Sequence, residues 1–459
     1  MKNDQNDIVL LEKGLDSFNP STRKQCLETL AKLAEDGFVQ LPNRRETANL
    51  HCHTFFSYNG YGYSPSHIAW LGRKLGAKFM GIVDFDTLDG VDEFLKACQL
   101  VNIYGTTGME TRVFIPEYSN KEINSPGEPG VSYHMGVGFT KSSASAQAAD
   151  LLENIRKRSE ERYRGMLNKI NDYLDPLIVD YKADALPKTP NQNATERHLL
   201  EAIIEKSFSE IENTHQFWSE KLDIPSDEID NLVSKKETFR SLVRKKLMKR
   251  GGVGYTQPTE NSFPLISEFH QVVIACGALP CVAWLDGTSE VEQDIENHLG
   301  LLIEKGAAAI NIIPDRNWNI TDPDQKSKKL DNLYRVVSTA KDMYLPILVG
   351  TEMNSYGQKL IDNFDTPELA PVKDTFIDGA YFIYGHTRME YLWGIGWQSS
   401  WANKHFSDRK SKNEFFQTVG HHIPPGKPGN NLYETISDKM NPEAIINSLK
   451  EYLAKNNIF

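Results

Sequence analysis

His51 and His53 are the side chains best suited to chemistry in this chain, set in the run Asn49-Leu50-His51-Cys52-His53-Thr54. Residues two apart on an extended strand project to one face, so the two imidazoles stand together while Cys52 points away. A pair of imidazoles makes half of a site for a borderline divalent cation such as zinc, manganese or iron. Taken alone, the pair is equally two polar residues near a strand end. Other polar side chains follow apolar runs or lie within them: Asp84 after Phe79-Met80-Gly81-Ile82-Val83, Glu110 after Gly105 to Met109, His134 in an apolar stretch, and Glu352 after Gly350-Thr351; Asp84 and Glu110 stand where a converging site needs them. A divalent ion brings the pKa of bound water towards neutrality and polarises a phosphoryl oxygen, and two ions clamp attacking and leaving oxygens. Arg112, two residues beyond Glu110, and Arg316, in a strand-end loop, are candidates to grip a phosphate through two N–H groups.

Those residues need strand ends to hold them, and the chain supplies the pattern. Residues 1–46 read as a helical extension, with Ser21 and Thr22 as candidate caps and Cys26, Leu27, Leu30 and Leu33 as the buried stripe. From residue 47, strands expected at 47–53, 79–83 and 131–139 alternate with helices opening at Ser64-Pro65 and Asp89-Gly90. Apolar strands alternating with helices predict a parallel sheet covered on both faces, and several in succession favour a barrel, whose functional groups sit at strand C-terminal ends. Residues 141–258 break the pattern with helical segments expected at 146–174, 195–211 and 226–250, and read as a helical insertion. Between Val233 and Arg250, eight basic residues stand against one acid, Glu237. We read them as the solvated face of a helix whose apolar side is Leu232, Phe239, Leu242, Val243 and Leu247; the alternative is a patch for an anionic substrate or nucleic acid. The alternation resumes after Ser262, with strands expected at 272–275, 280–284, 307–313 and 345–349. Residues 47–140 and 259–459 thus form the two parts of one barrel, the second ending in helices. His386 follows the apolar run 380–383, and His421-His422 reads as surface.

Composition narrows the function. The 459 residues are 39% hydrophobic and 25% charged, as in an ordinary globular protein. A net charge of −11 argues against a large nucleic-acid surface. Five cysteines with no CxxC pattern predict reduced thiols and a cytoplasmic protein. No apolar run reaches the ~18 residues of a membrane helix, and none near the start has signal-peptide character.

The blocks His51-Cys52-His53-Thr54, Gly81-Ile82-Val83-Asp84-Phe85-Asp86-Thr87-Leu88-Asp89-Gly90, Gly108-Met109-Glu110-Thr111 and Tyr133-His134-Met135-Gly136, in this order, resemble the PHP (polymerase and histidinol phosphatase) family. The resemblance covers about residues 47–140, is looser over 270–355 and is absent from the insertion. It implies a distorted TIM-like (β/α)7 barrel with two or three metal ions, acting on phosphate esters. Carried over, it makes His51 and His53 ligands of a first ion, Glu110 a bridge to a second and His134 a ligand of the second. Asp84 becomes a supporting residue. Gly350-Thr351-Glu352-Met353-Asn354 stands where the family has Gly-Ser-Asp-x-His, which puts Glu352 on the first ion. Phe85 and Asn354 replace histidines of the third ion. Ala283-Trp284-Leu285 replaces an Ala-His-Pro block and removes a ligand of the second, for which Asp286 or His386 is the candidate substitute. The expectation is one or two divalent ions per chain (zinc, manganese or iron) and a phosphoesterase using a metal-held hydroxide on a small phosphorylated molecule or nucleotide. The alternatives are a PHP-like metal-binding or interaction module with little turnover, and a hydrolase of a non-phosphate bond.

Overall fold

Seven apolar runs become the strands of one sheet in the computed structural model, which describes residues 5–457. They are β1 (Arg45–Cys52), β2 (Ala77–Phe85), β3 (Tyr104–Phe114), β4 (Val131–Val137), β5 (Leu279–Trp284), β6 (Ala309–Ile312) and β7 (Ile347–Val349). They pair in sequence order. Just beyond β7 the chain reaches β1: Glu352 N donates to His51 O at 2.8 Å and His53 N donates to Glu352 O at 2.7 Å. The sheet is thus nearly closed, a distorted TIM-like barrel of the kind the alternation predicts. Both sides of the insertion belong to this one sheet, with His134 of β4 opposite Val282 of β5.

β4 runs antiparallel to both neighbours, whereas the other pairs are parallel. A parallel return needs a crossover, usually a helix, and residues 115–130 contain only the single turn Pro116–Tyr118. Residues 272–275, expected as a strand, form the last turn of a helix. A short apolar run has no period of its own to separate a buried helix from a strand.

Helices cover the outside. At the N-terminus lie α1 (Gln5–Gly14) and α2 (Pro20–Glu35), the latter capped by Asn19 rather than Ser21 or Thr22, because Pro20 already occupies the first turn. In α3 (Pro65–Lys74) the expected cap holds: the Ser64 hydroxyl accepts from His67 N. After α4 (Val91–Leu100), the insertion contributes α5 (Ala149–Leu174), α6 (Glu196–Glu210), α7 (Thr214–Leu222), α8 (Ser226–Ser234) and α9 (Lys236–Leu247). It buries an apolar cluster of its own around Ile170, Leu199, Trp218 and Val243. The misread helix is α10 (Ile266–Ala275), which buries Ile266, Phe269, Val272 and Val273. The helix Lys373–Trp393 lies across the N-terminal ends of the strands: Tyr381 meets Phe79 edge to face, and Thr387 bonds Thr106 at 3.0 Å. The opposite, C-terminal end is left for the insertion.

Candidate metal centre

At that end, His51 on β1, His53 just beyond it and Glu110 on β3 converge, all buried. The two imidazole Nε2 atoms lie 3.5 and 3.4 Å from Glu110 Oε2. Each ring is fixed by its other nitrogen. His51 Nδ1 meets Asn311 Oδ1 at 2.9 Å, and a carbonyl oxygen only accepts. His53 Nδ1 meets Ser57 Oγ at 3.1 Å; Ser57 donates its own proton to Asp84 at 2.6 Å, so it accepts from the ring. The hydrogen-bond network therefore assigns the proton of both rings to Nδ1 and turns two Nε2 lone pairs inward.

Neither Nε2 has a hydrogen-bond partner, although both are buried. One ligand atom from each of the three residues lies within 4.8 Å of the others. Unpartnered imidazole lone pairs facing a carboxylate fit a divalent cation. The local field agrees. Burial works against the Glu110 carboxylate, but His51 and His53 outweigh it and bring its pKa down to about 2. Burial also works against a charged His51, yet Glu110 and Glu352 raise its pKa. The pocket favours positive charge between these groups.

Asp84, at the end of β2, holds the turn after β1. It accepts from Thr54 N at 2.8 Å, Thr54 Oγ1 at 2.7 Å and Ser57 Oγ at 2.6 Å, so its lone pairs serve the ligand-bearing segment. Phe85 lies flat on the His53 ring, centroids 5.1 Å apart. Glu352 stands beside the three-residue group, not within it: its carboxylate accepts from Arg316 at 2.6 Å and from Asn354 at 2.9 Å. Glu352 and Met353 both have left-handed φ, +64° and +57°, a strained arrangement for side-chain-bearing residues.

Three expected residues are not brought here. Opposite residues of an antiparallel pair share a face, and Glu110 is opposite Met135 while Thr111 is opposite His134. His134 therefore faces away from the cluster, its Nε2 2.8 Å from His270 Nε2 on α10. Burial and then the neighbouring His270 and His298 push its pKa well down. His386 lies at the other end of the barrel, packed beside Gly138 and accepting from Trp397 N at 3.0 Å. Asp286 is paired with Lys329 at 2.8 Å and bonded by Thr288. Trp284 lines the cleft, and among the described residues His51, His53 and Glu110 are the one group of three or more His, Cys, Asp or Glu side chains close enough together to hold an ion.

The cluster forms the floor of a cleft of about 340 Å³. Arg112 and Arg316 line it from the barrel, and Arg197, Arg244 and Lys249 from the insertion. Arg112 bonds Glu128 at 2.7 Å and lies 4.2 Å over the Phe263 ring. Not all of the basic stretch is solvated, as its pattern suggests. Lys235, Lys236 and Lys245 are exposed, but Arg244 and Lys249 turn onto Glu196, at 2.5 and 3.0 Å. Their acidic partner is 48 and 53 residues away, beyond the reach of local periodicity. Asn311 was legible, as the one polar side chain in the apolar strand β6.

The Glu196 pair gives a pH prediction. Burial opposes its charge, but Lys249 and Arg244 hold its pKa at about 2, below the ordinary 4.5. A depressed carboxyl contributes stability above its ordinary pKa and loses it as pH falls through the folded value. The stability advantage of the native protein over Glu196→Gln is therefore full at about pH 6 and shrinks as pH falls from about 4.5 towards 2. Urea unfolding across that range measures it, and a difference independent of pH would refute the pairing.

No family model matches the chain, and no curated protein matches it. Among solved structures, it is similar to an amidohydrolase from Chromobacterium violaceum with bound sulfate and no metal, at 14% identity and a TM-score of 0.47. That alignment covers 72% of this chain and 96% of the other. A candidate metal-dependent phosphoesterase from Bifidobacterium adolescentis aligns at 16% identity and a TM-score of 0.47, over 73% of this chain and 98% of the other.

Proposed function

We propose that this protein is a metal-dependent hydrolase acting on a small phosphorylated molecule. The observation that carries the reading is the pair of buried, unpartnered Nε2 lone pairs facing Glu110 on the floor of a cation-lined cleft. His51, His53 and Glu110 would hold one divalent ion, leaving positions open to water and substrate. When bound, such an ion supplies Lewis acidity and an acidified water. The chain's own groups do the rest. Asn311 and the Ser57–Asp84 pair keep both imidazoles in the tautomer that presents Nε2. Glu352, itself held by a hydrogen bond from Asn354, orients Arg316, whose planar head can take two phosphoryl oxygens. The insertion supplies Tyr163, Arg197, Arg244 and Lys249 to the lining, and a cleft of about 340 Å³ suits a small substrate better than a polymer.

The test is elemental analysis of protein purified without chelator, paired with turnover of an aryl phosphate. About one equivalent of divalent metal per chain is expected, and turnover that disappears on chelation and returns with the metal. Three equivalents would sink the one-ion assignment. Full metal content with no turnover would favour a metal-binding module, the role that Phe85 and Trp284 in place of ligands would suit.

A further inference from the structure

We propose that the insertion gives this cleft a second anion subsite, built on Arg197, Arg244 and Lys249, so that the preferred substrate carries another phosphate or carboxylate besides the reacting group. The proposal rests on reading the cleft as the active site. Arg197 lies in the first turn of α6, Arg244 in α9, and Lys249 just beyond α9. All three line the cleft. One carboxylate, Glu196, serves two of them. Arg197 has no carboxylate within ion-pair distance among the described residues; its Nη2 donates only to the Ser355 hydroxyl, at 2.8 Å.

The contrast with the other arginines is informative. Arg240, on the same helix as Arg244, is paired with both Glu201 and Glu237, and its pKa is raised. The barrel's Arg112 and Arg316 each have a carboxylate of their own. For Arg197, burial and then the charge of Arg244 lower the pKa. Away from the cleft Arg240 is thus balanced by two carboxylates, whereas inside it Glu196 is the insertion's one carboxylate against Arg197, Arg244 and Lys249. Holding a partly buried guanidinium beside the Arg244 cation costs desolvation and repulsion, which an arriving anion offsets. Under that reading Arg316 would serve the phosphoryl group at the candidate metal centre. The insertion's cations remain for a second group.

Calorimetry with two non-hydrolysable probes tests this: phenylphosphonate, with one anionic end, and para-carboxyphenylphosphonate, with two. The native protein should bind the two-ended probe about tenfold or more tightly, equivalent to ~1.4 kcal/mol. Arg197→Ala and Arg244→Gln should each remove most of that preference, whereas Lys245→Ala, exposed on α9, should keep it. In turnover, the kcat/KM ratio of carboxyphenyl phosphate to phenyl phosphate should fall about tenfold in Arg197→Ala. Equal binding of the probes by native protein, or an undiminished preference in Arg197→Ala, would overturn the proposal. The binding arm requires no turnover, so an intact preference in a protein that hydrolyses nothing would remove the hydrolase reading and leave the subsite standing.

Discussion

His51→Ala is expected to lose metal and turnover together. The substitution removes one of two Nε2 lone pairs and the contact with Asn311, leaving Glu110 facing a single imidazole. One histidine and one carboxylate are too few to retain a borderline cation through purification. Metal content should drop from about one equivalent to a small fraction, and kcat/KM by on the order of a thousandfold, ~4 kcal/mol of transition-state stabilisation. His134→Ala is the informative comparison. Because His134 faces α10 and bonds His270, its removal should cost ~1–3 kcal/mol of stability and leave the metal in place. Full metal in His51→Ala would refute the centre, and loss of metal in His134→Ala would refute the geometry of β4.

The second large effect is expected at Gly350. A Cβ there would lie 2.2 Å from His51 Cβ and 2.7 Å from His51 N and Cα. These atoms belong to a strand, so no flexible side chain can yield. Gly350→Ala must push β7 and β1 apart, at a cost at or above the ~1–3 kcal/mol usual for overpacking. It should also displace His51 and weaken metal binding. Gly165→Ala, on α5 with open space around it, should stabilise by up to ~1 kcal/mol through helix propensity. Urea midpoints and metal affinities of the two variants are the measurement. A Gly350→Ala protein with native values in both would show that the strands are not in such close contact.

Much of the barrel was legible because it follows from local rules. Two-residue periodicity puts His51 and His53 on one face, and parallel strands carry their polar ends to one side, where Glu110 meets them. His134 is a different case: its ligand role comes from the family resemblance alone, and the antiparallel register of β4 sets Met135, not His134, opposite Glu110. The sequence clue was the lack of a crossover helix between Phe114 and Val131. The insertion shows a different failure. Arg244 lies one turn beyond Arg240, yet the first faces the cleft and Glu196 while the second pairs with Glu201 and Glu237. Glu196 and Glu201 lie on α6, which no window along α9 contains.

The junction of the barrel's two ends also bears on the order of folding. Asn49 and Thr351, 302 positions apart, are joined there through a 2.7 Å hydrogen bond, and the backbone on either side of His51 and His53 is pinned by Glu352. Most strand pairs join stretches close along the chain, whereas this contact closes nearly the whole loop, and the entropy of closure grows with loop length. Closure of this junction, and with it the final aim of the imidazoles, is therefore expected to be a late step, after the sheet has been assembled from β1 to β7. A cation that recognises only the closed ring adds its binding free energy to the closed state alone. It would act as a clasp on the longest-range contact in the sheet, linking the fold's last event to its chemistry.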